Sequence, residues 1–214
     1  MVVKRAADSV EFFGAEIFSR NLIFLIDGSG SMAMFDQGGL KRKEAEKARI
    51  RLDRARKQLL GAIESLPKTA RFNIIAYSNK VTAWQKGLKP ASRSAIKSAG
   101  RFVKEFLARG ATYTDDALKR AFEDAEADTI VLLSDGAPTK PDFPSDYLIG
   151  QILKDIANRN AARKMRINTF GFEGTGLWPD KIPGQPSGPR ATPTVDCDRV
   201  SVVGAAGDLY CLSV

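Results

Sequence analysis

The chain has 214 residues with 43% apolar and 27% charged side chains, which suits one α/β domain with a core of ordinary size. Its formal net charge is +8, with no histidine and two cysteines, Cys197 and Cys211. That composition excludes Ser-His-Asp and Cys-His catalysis outright, and it excludes a zinc site built from four thiolates or from thiolates and imidazoles. The longest clean apolar run is Leu22–Ile26, far short of the roughly 20 residues a membrane-spanning helix needs. The N-terminal Met-Val-Val-Lys-Arg-Ala-Ala-Asp has basic residues but no apolar stretch after them, so no signal peptide is expected. The compartment is left open, intracellular by default unless the chain is excised from a longer exported protein. The two cysteines read either as reduced thiols, the blander alternative, or as a disulfide.

Residues 10–18 (Val-Glu-Phe-Phe-Gly-Ala-Glu-Ile-Phe) read as extended, and Asn21–Ile26 as a strand buried on both faces and ending in Asp27. A Gly-rich loop follows, then a long helix over about Leu40–Leu66 with Leu52, Ala55, Leu59, Ala62, Ile63 and Leu66 on one face, stopped by Pro67. Ala70–Ser78 is a second strand, and Val81–Trp84 pairs with it as a hairpin across Asn79-Lys80. Ser92–Leu107 is a helix with an apolar stripe of Ile96, Ala99, Phe102, Val103 and Phe106. Thr114 is placed to cap a third helix running to about Ala125, with Asp115 and Asp116 in its first turn. Asp128–Leu133 is a buried strand ending in Ser134-Asp135-Gly136, followed by a helix over Tyr147–Arg163 and a strand over Ile167–Phe172. This alternation predicts an α/β fold of the doubly wound, Rossmann-like kind: a mostly parallel central sheet with one antiparallel strand, flanked by helices on both faces. Residues 1–19 form an N-terminal extension with an added strand, and 20–173 form the core. Residues 174–214 form an irregular Gly/Pro-rich segment, with one or two terminal strands packed on the same domain.

In open α/β sheets ligands bind beyond the carboxyl ends of the strands, near the point where strand order reverses. Three segments bring oxygen-bearing residues to that edge: Asp27-Gly28-Ser29-Gly30-Ser31, Gly110-Ala111-Thr112-Tyr113-Thr114, and Ser134-Asp135-Gly136. A donor set made only of hard oxygens suits Mg2+ or Mn2+, with Ca2+ less favoured. The bland alternative is a capping loop in which Asp27 and Ser29 bind only backbone amides.

Asp27-x-Ser29-x-Ser31, Thr112 and Asp135 together resemble the metal-ion-dependent adhesion site of von Willebrand factor A domains, shared with integrin I domains. Leu66-Pro-Lys-Thr-Ala-Arg-Phe-Asn-Ile74 and Thr129-Ile-Val-Leu-Leu-Ser-Asp-Gly136 resemble flanking text of the same family. The likeness spans roughly 20–173 and looks nearest to bacterial members, which share the Ser31-Met32 pair. The resemblance implies that Ser29, Ser31 and Thr112 offer hydroxyls to one ion, while Asp27 and Asp135 act largely through water. Two carboxylates would then balance the dication, and one coordination position would stay open for a partner's Asp or Glu. Gly28 and Gly30 let the loop turn tightly.

Two stretches depart from the family pattern: the long Met32–Lys43 segment, which would wall the site, and the Pro/Gly-rich C-terminus, where the family's last helix is not expected.

The implied function is a metal-dependent protein-interaction domain, monomeric and not an enzyme. The alternative is an accessory subunit of an ATP-driven complex of the chelatase or AAA type; the chain has no phosphate-binding Gly-x-x-x-x-Gly-Lys sequence of its own. A metal-using hydrolase or phosphoryl transferase is a third class, weakened by the lack of an evident general base or nucleophile. Phe35, Tyr113, Phe143 and Tyr147 are candidates for a partner-binding rim, since aromatics around a polar anchor are typical of interaction hot spots. Lys41–Lys57 holds nine basic residues. It reads as a solvated helix face, with Arg49, Arg56 and Lys57 away from the apolar stripe, rather than a phosphate-binding one; specific nucleic-acid recognition is not expected, because no aromatics interleave.

Overall fold

The structure is a computed structural model that describes residues 9–12, 15–34, 51–171, 194–196, 199–203 and 209–213. Strands are β1 (Ser9–Phe12), β2 (Ala15–Phe18), β3 (Asn21–Asp27), β4 (Arg71–Tyr77), β5 (Val81–Ala83), β6 (Lys89–Pro90), β7 (Thr129–Ser134), β8 (Arg166–Gly171), β9 (Thr194–Asp196), β10 (Arg199–Val203) and β11 (Leu209–Ser213). Helices are α1 (Arg51–Glu64), α2 (Arg93–Glu105), α3 (Thr114–Phe122) and α4 (Ser145–Arg163), with a 3-10 turn over Gly30–Ala33.

The main sheet runs β11-β10-β9-β8-β7-β3-β4-β5, with β6 also on β4. Its centre, β8-β7-β3-β4, is parallel. Antiparallel strands extend both edges: β5 and β6 on β4, and β9, β10 and β11 beyond β8. The expected single antiparallel strand is therefore β5, and the sheet carries more. β6 is too short to be read from periodicity. β9 falls inside the segment expected to be irregular, whose residues 174–193 lie outside the described ones.

Alternation along the buried strands assigns the two faces. Leu22, Phe24 and Ile26 of β3, with Phe72, Ile74 and Ala76 of β4, pack under Leu52, Ala55, Leu59 and Ile63 of α1 and Ala99 and Val103 of α2. Ile23, Leu25, Ile75 and Tyr77 face the opposite way, toward Ala117, Leu118, Ala121 and Phe122 of α3. Each fully buried Leu, Ile or Phe contributes roughly 1.5–3 kcal/mol relative to exposure, so the two-sided core holds β3 rigidly and fixes where its C-terminal end lies.

Residues 9–12 and 15–18 form two strands rather than one added strand: β1 and β2 pair antiparallel with each other, in a sheet of their own. Val10, Phe12 and Ile17 still join the α1 side of the core, and the Phe12 ring lies edge-on to Phe170 at 4.8 Å between centroids.

Ser92 caps α2 as its position suggests, accepting from the Ala95 N–H at 3.2 Å. Thr114 does not cap α3. It is the first helical residue, and Tyr113 takes the cap position without a side-chain bond. The reason is that the Tyr113 N–H donates to the Ser78 carbonyl, which pulls the chain inward and buries the Thr114 hydroxyl without a hydrogen-bond partner.

The candidate site at the sheet's switch point

From β3 the chain winds first to β4 and later returns to β7 on the other side of β3. The switch point therefore lies between the C-terminal ends of β3 and β7, which carry Asp27 and Ser134-Asp135. The Ser134 hydroxyl spans this crevice, donating to Asp27 Oδ2 at 2.6 Å.

Backbone bonds hold the first loop against its neighbours. Gly28 N–H donates to the Tyr77 carbonyl, Arg109 N–H to the Gly28 carbonyl, and Gly30 N–H to the Gly110 carbonyl. Gly110 has φ +80°, and a Cβ there would come within 2.7 Å of Asn79 Oδ1, so only glycine fits this approach without strain. Met32, fully buried, pins the 3-10 turn to the core.

Within that frame the polar side chains form one connected set. The Ser29 N–H donates to Asp27 Oδ1 at 2.7 Å. The hydroxyls of Ser29 and Ser31 lie 3.0 Å apart. Ser31 Oγ donates to Asp135 Oδ1 at 2.7 Å, and Arg51 Nη1 donates to Asp135 Oδ2 at 2.8 Å. Thr112 sits two residues beyond Gly110 and is buried. Its N–H donates to Thr139 Oγ1 at 2.9 Å, and its carbonyl accepts from the Thr139 N–H. The structure thus brings Asp27, Ser29, Ser31 and Asp135 into direct contact and ties Thr112 in by backbone one loop away.

These groups sit at the carboxyl edge of the sheet but are mostly closed off from solvent. Asp27 is 0% and Asp135 2% exposed, and only Ser31 of the five is half-buried rather than buried. Burial pushes the Asp27 carboxyl up to about 6, with the Asp135 charge adding to the effect; the hydrogen bonds from Ser134 and Ser29 pull the other way. Tyr77, fully buried beneath, is pushed well above its usual value by burial and then by the Asp27 charge. A buried carboxylate with only neutral donors is a poor arrangement by itself and a good one beside a cation. The donor set of hydroxyls and carboxylates fits a hard dication. Among the described residues no three acidic, cysteine or histidine side chains cluster, so any cation here depends on the hydroxyls.

Sequence reasoning missed Arg51 and Tyr77, and named Ser134 only as part of the Ser134-Asp135-Gly136 strand end, without a role. Ser134 adjoins Asp135 and could have been read from its place at the strand end. Arg51 was absorbed into the basic run. It immediately precedes Leu52, the first residue of the apolar stripe, and that adjacency was the available signal. Arg56, expected on the solvated face, is half-buried. Its guanidinium donates to the carbonyls of Val103 and Phe106 at the end of α2.

Around the site, Tyr113 is half-buried, with Lys140 Nζ 4.9 Å from its ring centroid. Phe143 and Tyr147 are 49% and 51% exposed and stack on each other at 5.5 Å. Phe35 lies outside the described residues, as do Cys197 and residues 36–50, which include the first part of the helix expected over about Leu40–Leu66. No helix among the described residues is long and apolar enough to cross a membrane.

A family model for the von Willebrand factor type A domain matches residues 43–177. Over 167 residues the chain is 30% identical to inter-alpha-trypsin inhibitor heavy chain H1 of Mesocricetus auratus, covering 72% of this chain and 16% of that one. Over 138 residues it is 28% identical to heavy chain H4 of Homo sapiens, covering 59% of this chain and 13% of that one. The chain therefore spans under a fifth of the length of these relatives. Among solved structures, a von Willebrand factor type A protein from Catenulispora acidiphila aligns with TM-score 0.52 and 19% identity, over 73% of this chain and 33% of that one. BatB from Bacteroides thetaiotaomicron aligns with TM-score 0.50 and 14% identity, over 90% of this chain and 79% of that one. At these identities the structural matches speak to the fold alone.

Proposed function

We propose that this chain, which belongs to the von Willebrand factor type A domain family, binds a partner protein through one divalent cation, Mg2+ or Mn2+. The ion would be held by Asp27, Ser29, Ser31, Thr112 and Asp135. Domains of this family typically mediate protein interactions, and the family resemblance supplies the ligand set. The observation that carries the reading is the connected hydroxyl–carboxylate set at the switch point, in which Asp27 is buried with hydrogen-bond donors but, among the described residues, no cation of its own. When bound, the ion supplies an electrophilic centre for a carboxylate of an Asp or Glu on the partner.

The chain's own residues prepare that centre. Asp27 is oriented by Ser29 N–H and Ser134 Oγ, and Asp135 by Ser31 Oγ and Arg51. Both oxygens of each carboxylate accept a hydrogen bond, which fixes the orientation of the two side chains toward the candidate ion. Thr112 is held by its paired bonds to Thr139, and the bond from Gly30 N–H to the Gly110 carbonyl keeps its loop beside the serine loop.

Calorimetry with Mg2+ and with Mn2+ tests the reading. About one site per chain is expected, weakened about 100-fold by Asp27→Asn. Undiminished binding in that variant, or none in the native chain, would remove the claim. A pull-down from the native host, run with Mg2+ and again with EDTA, then asks whether a protein partner needs the ion.

A further inference from the structure

We propose that Arg51 sets the charge of the metal site, so that the loaded site takes a single carboxylate, and that it does so while positioning Asp135. The inference rests on the metal-site reading and deepens it.

Arg51 opens α1 and is 7% exposed, an unusual place for a guanidinium without a specific duty. Its Nη1 meets Asp135 Oδ2, while Asp135 Oδ1 meets the Ser31 hydroxyl. The arginine thus holds one oxygen of the carboxylate and the candidate ligand cluster holds the other. Arg51 backs Asp135 and fixes its rotamer without taking the place of the ion. A main-chain bond from Arg51 N–H to the Met34 carbonyl ties the helix start to the end of the 3-10 turn carrying Ser31.

The charges then differ from the simple balance of two carboxylates against one dication. Asp27, Asp135 and Arg51 together carry a single negative charge. A dication turns that into a single positive charge, which one incoming carboxylate neutralises. Without Arg51 the dication alone would balance the two aspartates, and a third carboxylate would arrive in excess. Arg51 therefore weakens the hold on the ion and strengthens the pull on the ligand. In a largely buried site, where charge interactions are several-fold stronger than in water, both effects are large.

The test measures Mg2+ affinity by calorimetry in the native chain, Arg51→Gln and Arg51→Lys. It also measures the paramagnetic broadening of acetate by the Mn2+-loaded forms. Arg51→Gln keeps a donor toward Asp135 but loses the charge. It should bind Mg2+ about tenfold tighter or more and broaden acetate about fivefold less. Arg51→Lys should stay within about threefold of the native chain on both. A merely structural arginine would give the opposite sign, because its loss would loosen the site and weaken the metal. Mg2+ affinity unchanged or weaker in Arg51→Gln, with native binding intact, overturns the role of Arg51 and leaves the metal site standing. Absence of Mg2+ binding in the native chain and in Arg51→Gln alike overturns the metal site and this inference with it. If Arg51→Gln does not fold, Arg51→Met combined with Asp135→Asn removes both halves of the buried pair. It should bind Mg2+ more tightly than Asp135→Asn alone, and weaker or equal binding overturns the proposal.

Discussion

Two groups of charges lie beside the same strand ends, one around Arg51 and the other around Lys140. In the outer group Lys140 Nζ sits 2.6 Å from Asp115 Oδ2 and 3.0 Å from Asp116 Oδ2, with Lys119 adding longer contacts to the same two acids. Two lysines face two aspartates, so the cluster is neutral and closed. In the inner group one arginine faces Asp135, and among the described residues Asp27 has none. The surplus carboxylate is in the drier place, at the switch point between β3 and β7. An acidic cluster as such therefore says little about metal binding; what separates these two is whether the acids already have cations. The family likeness and this residual charge point to the same spot by independent routes.

Breaking the inner pair should have the largest effect. Asp135→Ala would leave the Arg51 guanidinium buried and alone, at a cost of about 3–5 kcal/mol. Urea denaturation in EDTA measures it. A loss below about 1 kcal/mol would show that Arg51 finds water in the variant and that the pair is not sealed.

Asp27 offers the opposite sign. Its carboxyl is held up at about 6 in the folded chain, against an ordinary value of 3.8. Between those values the folded state binds more protons than the unfolded one, so this residue makes stability fall as pH rises from about 4 to about 6. Above that window the full penalty is present, about 2–3 kcal/mol from a shift of this size. Asp27→Asn should therefore stabilise the EDTA-treated protein at pH 7 and gain nothing near pH 4, while losing its stabilisation by Mg2+. Melting curves at both pH values decide it. A variant destabilised at pH 7 would mean that the carboxylate's hydrogen bonds outweigh its burial.

How much of this was readable in advance follows from which distances the sequence encodes. Strand β3 and its terminal Asp27 were legible because five consecutive apolar residues leave a short segment few alternatives. The pairing of Asp27 with Asp135 was legible because parallel strands present their C-terminal ends on one edge. Helix α4 was placed to within two residues by its pattern. The Arg51–Asp135 pair spans 84 positions and depends on the angle at which α1 enters, which no local pattern reports. The N-terminal strand pair escaped because its two strands are four residues each, too short to be told from one strand with a kink. The hydroxyl of Thr114 was given to a cap by proximity to the helix start. The tie from Tyr113 to Ser78 that overrode this is again non-local.

The outer group should be stabilising and indifferent to metal. Burial alone would raise the Asp115 carboxyl, but the Lys140 hydrogen bond and charge, with Lys119, leave it below its ordinary value. Lys140 is raised in turn by both aspartates, against its own burial. A depressed carboxyl contributes stability that is present above pH 3.8 and lost as pH falls through its folded value. Lys140→Met should cost about 1–2 kcal/mol at pH 7 and less below pH 3, and should shift Mg2+ affinity by less than about twofold. A large change in Mg2+ affinity would merge the two groups into one electrostatic unit and end the contrast drawn between them.

The smallest effect on stability, and the sharpest on specificity, is expected at the aromatic rim. Phe143 and Tyr147 stack on each other with about half of each side chain in solvent. Truncating Phe143 removes little buried area, and Phe143→Ala should change stability by less than about 0.5 kcal/mol. Its position still matters. Lys140 and Phe143 are bridged by backbone, and Thr139, one residue earlier, is bridged to Thr112, so Phe143, stacked on Tyr147 in the first turn of α4, stands on the same short loop that braces a candidate ligand. A metal–carboxylate contact is generic to any exposed acid, so discrimination among partners has to come from neighbouring surface. Tyr113 is a harder case, because its ring lies under Lys140 Nζ and its backbone anchors α3. Phe143→Ala should leave Mg2+ affinity within about twofold and weaken Mg2+-dependent capture of the partner, and Tyr113→Ala should weaken capture more than it weakens the metal. Equal losses of metal and partner in Tyr113→Ala would make that ring a brace for the Thr112 loop. An unchanged partner in Phe143→Ala would move the recognition surface to the Met34 side of the site, where the methionine is 60% exposed.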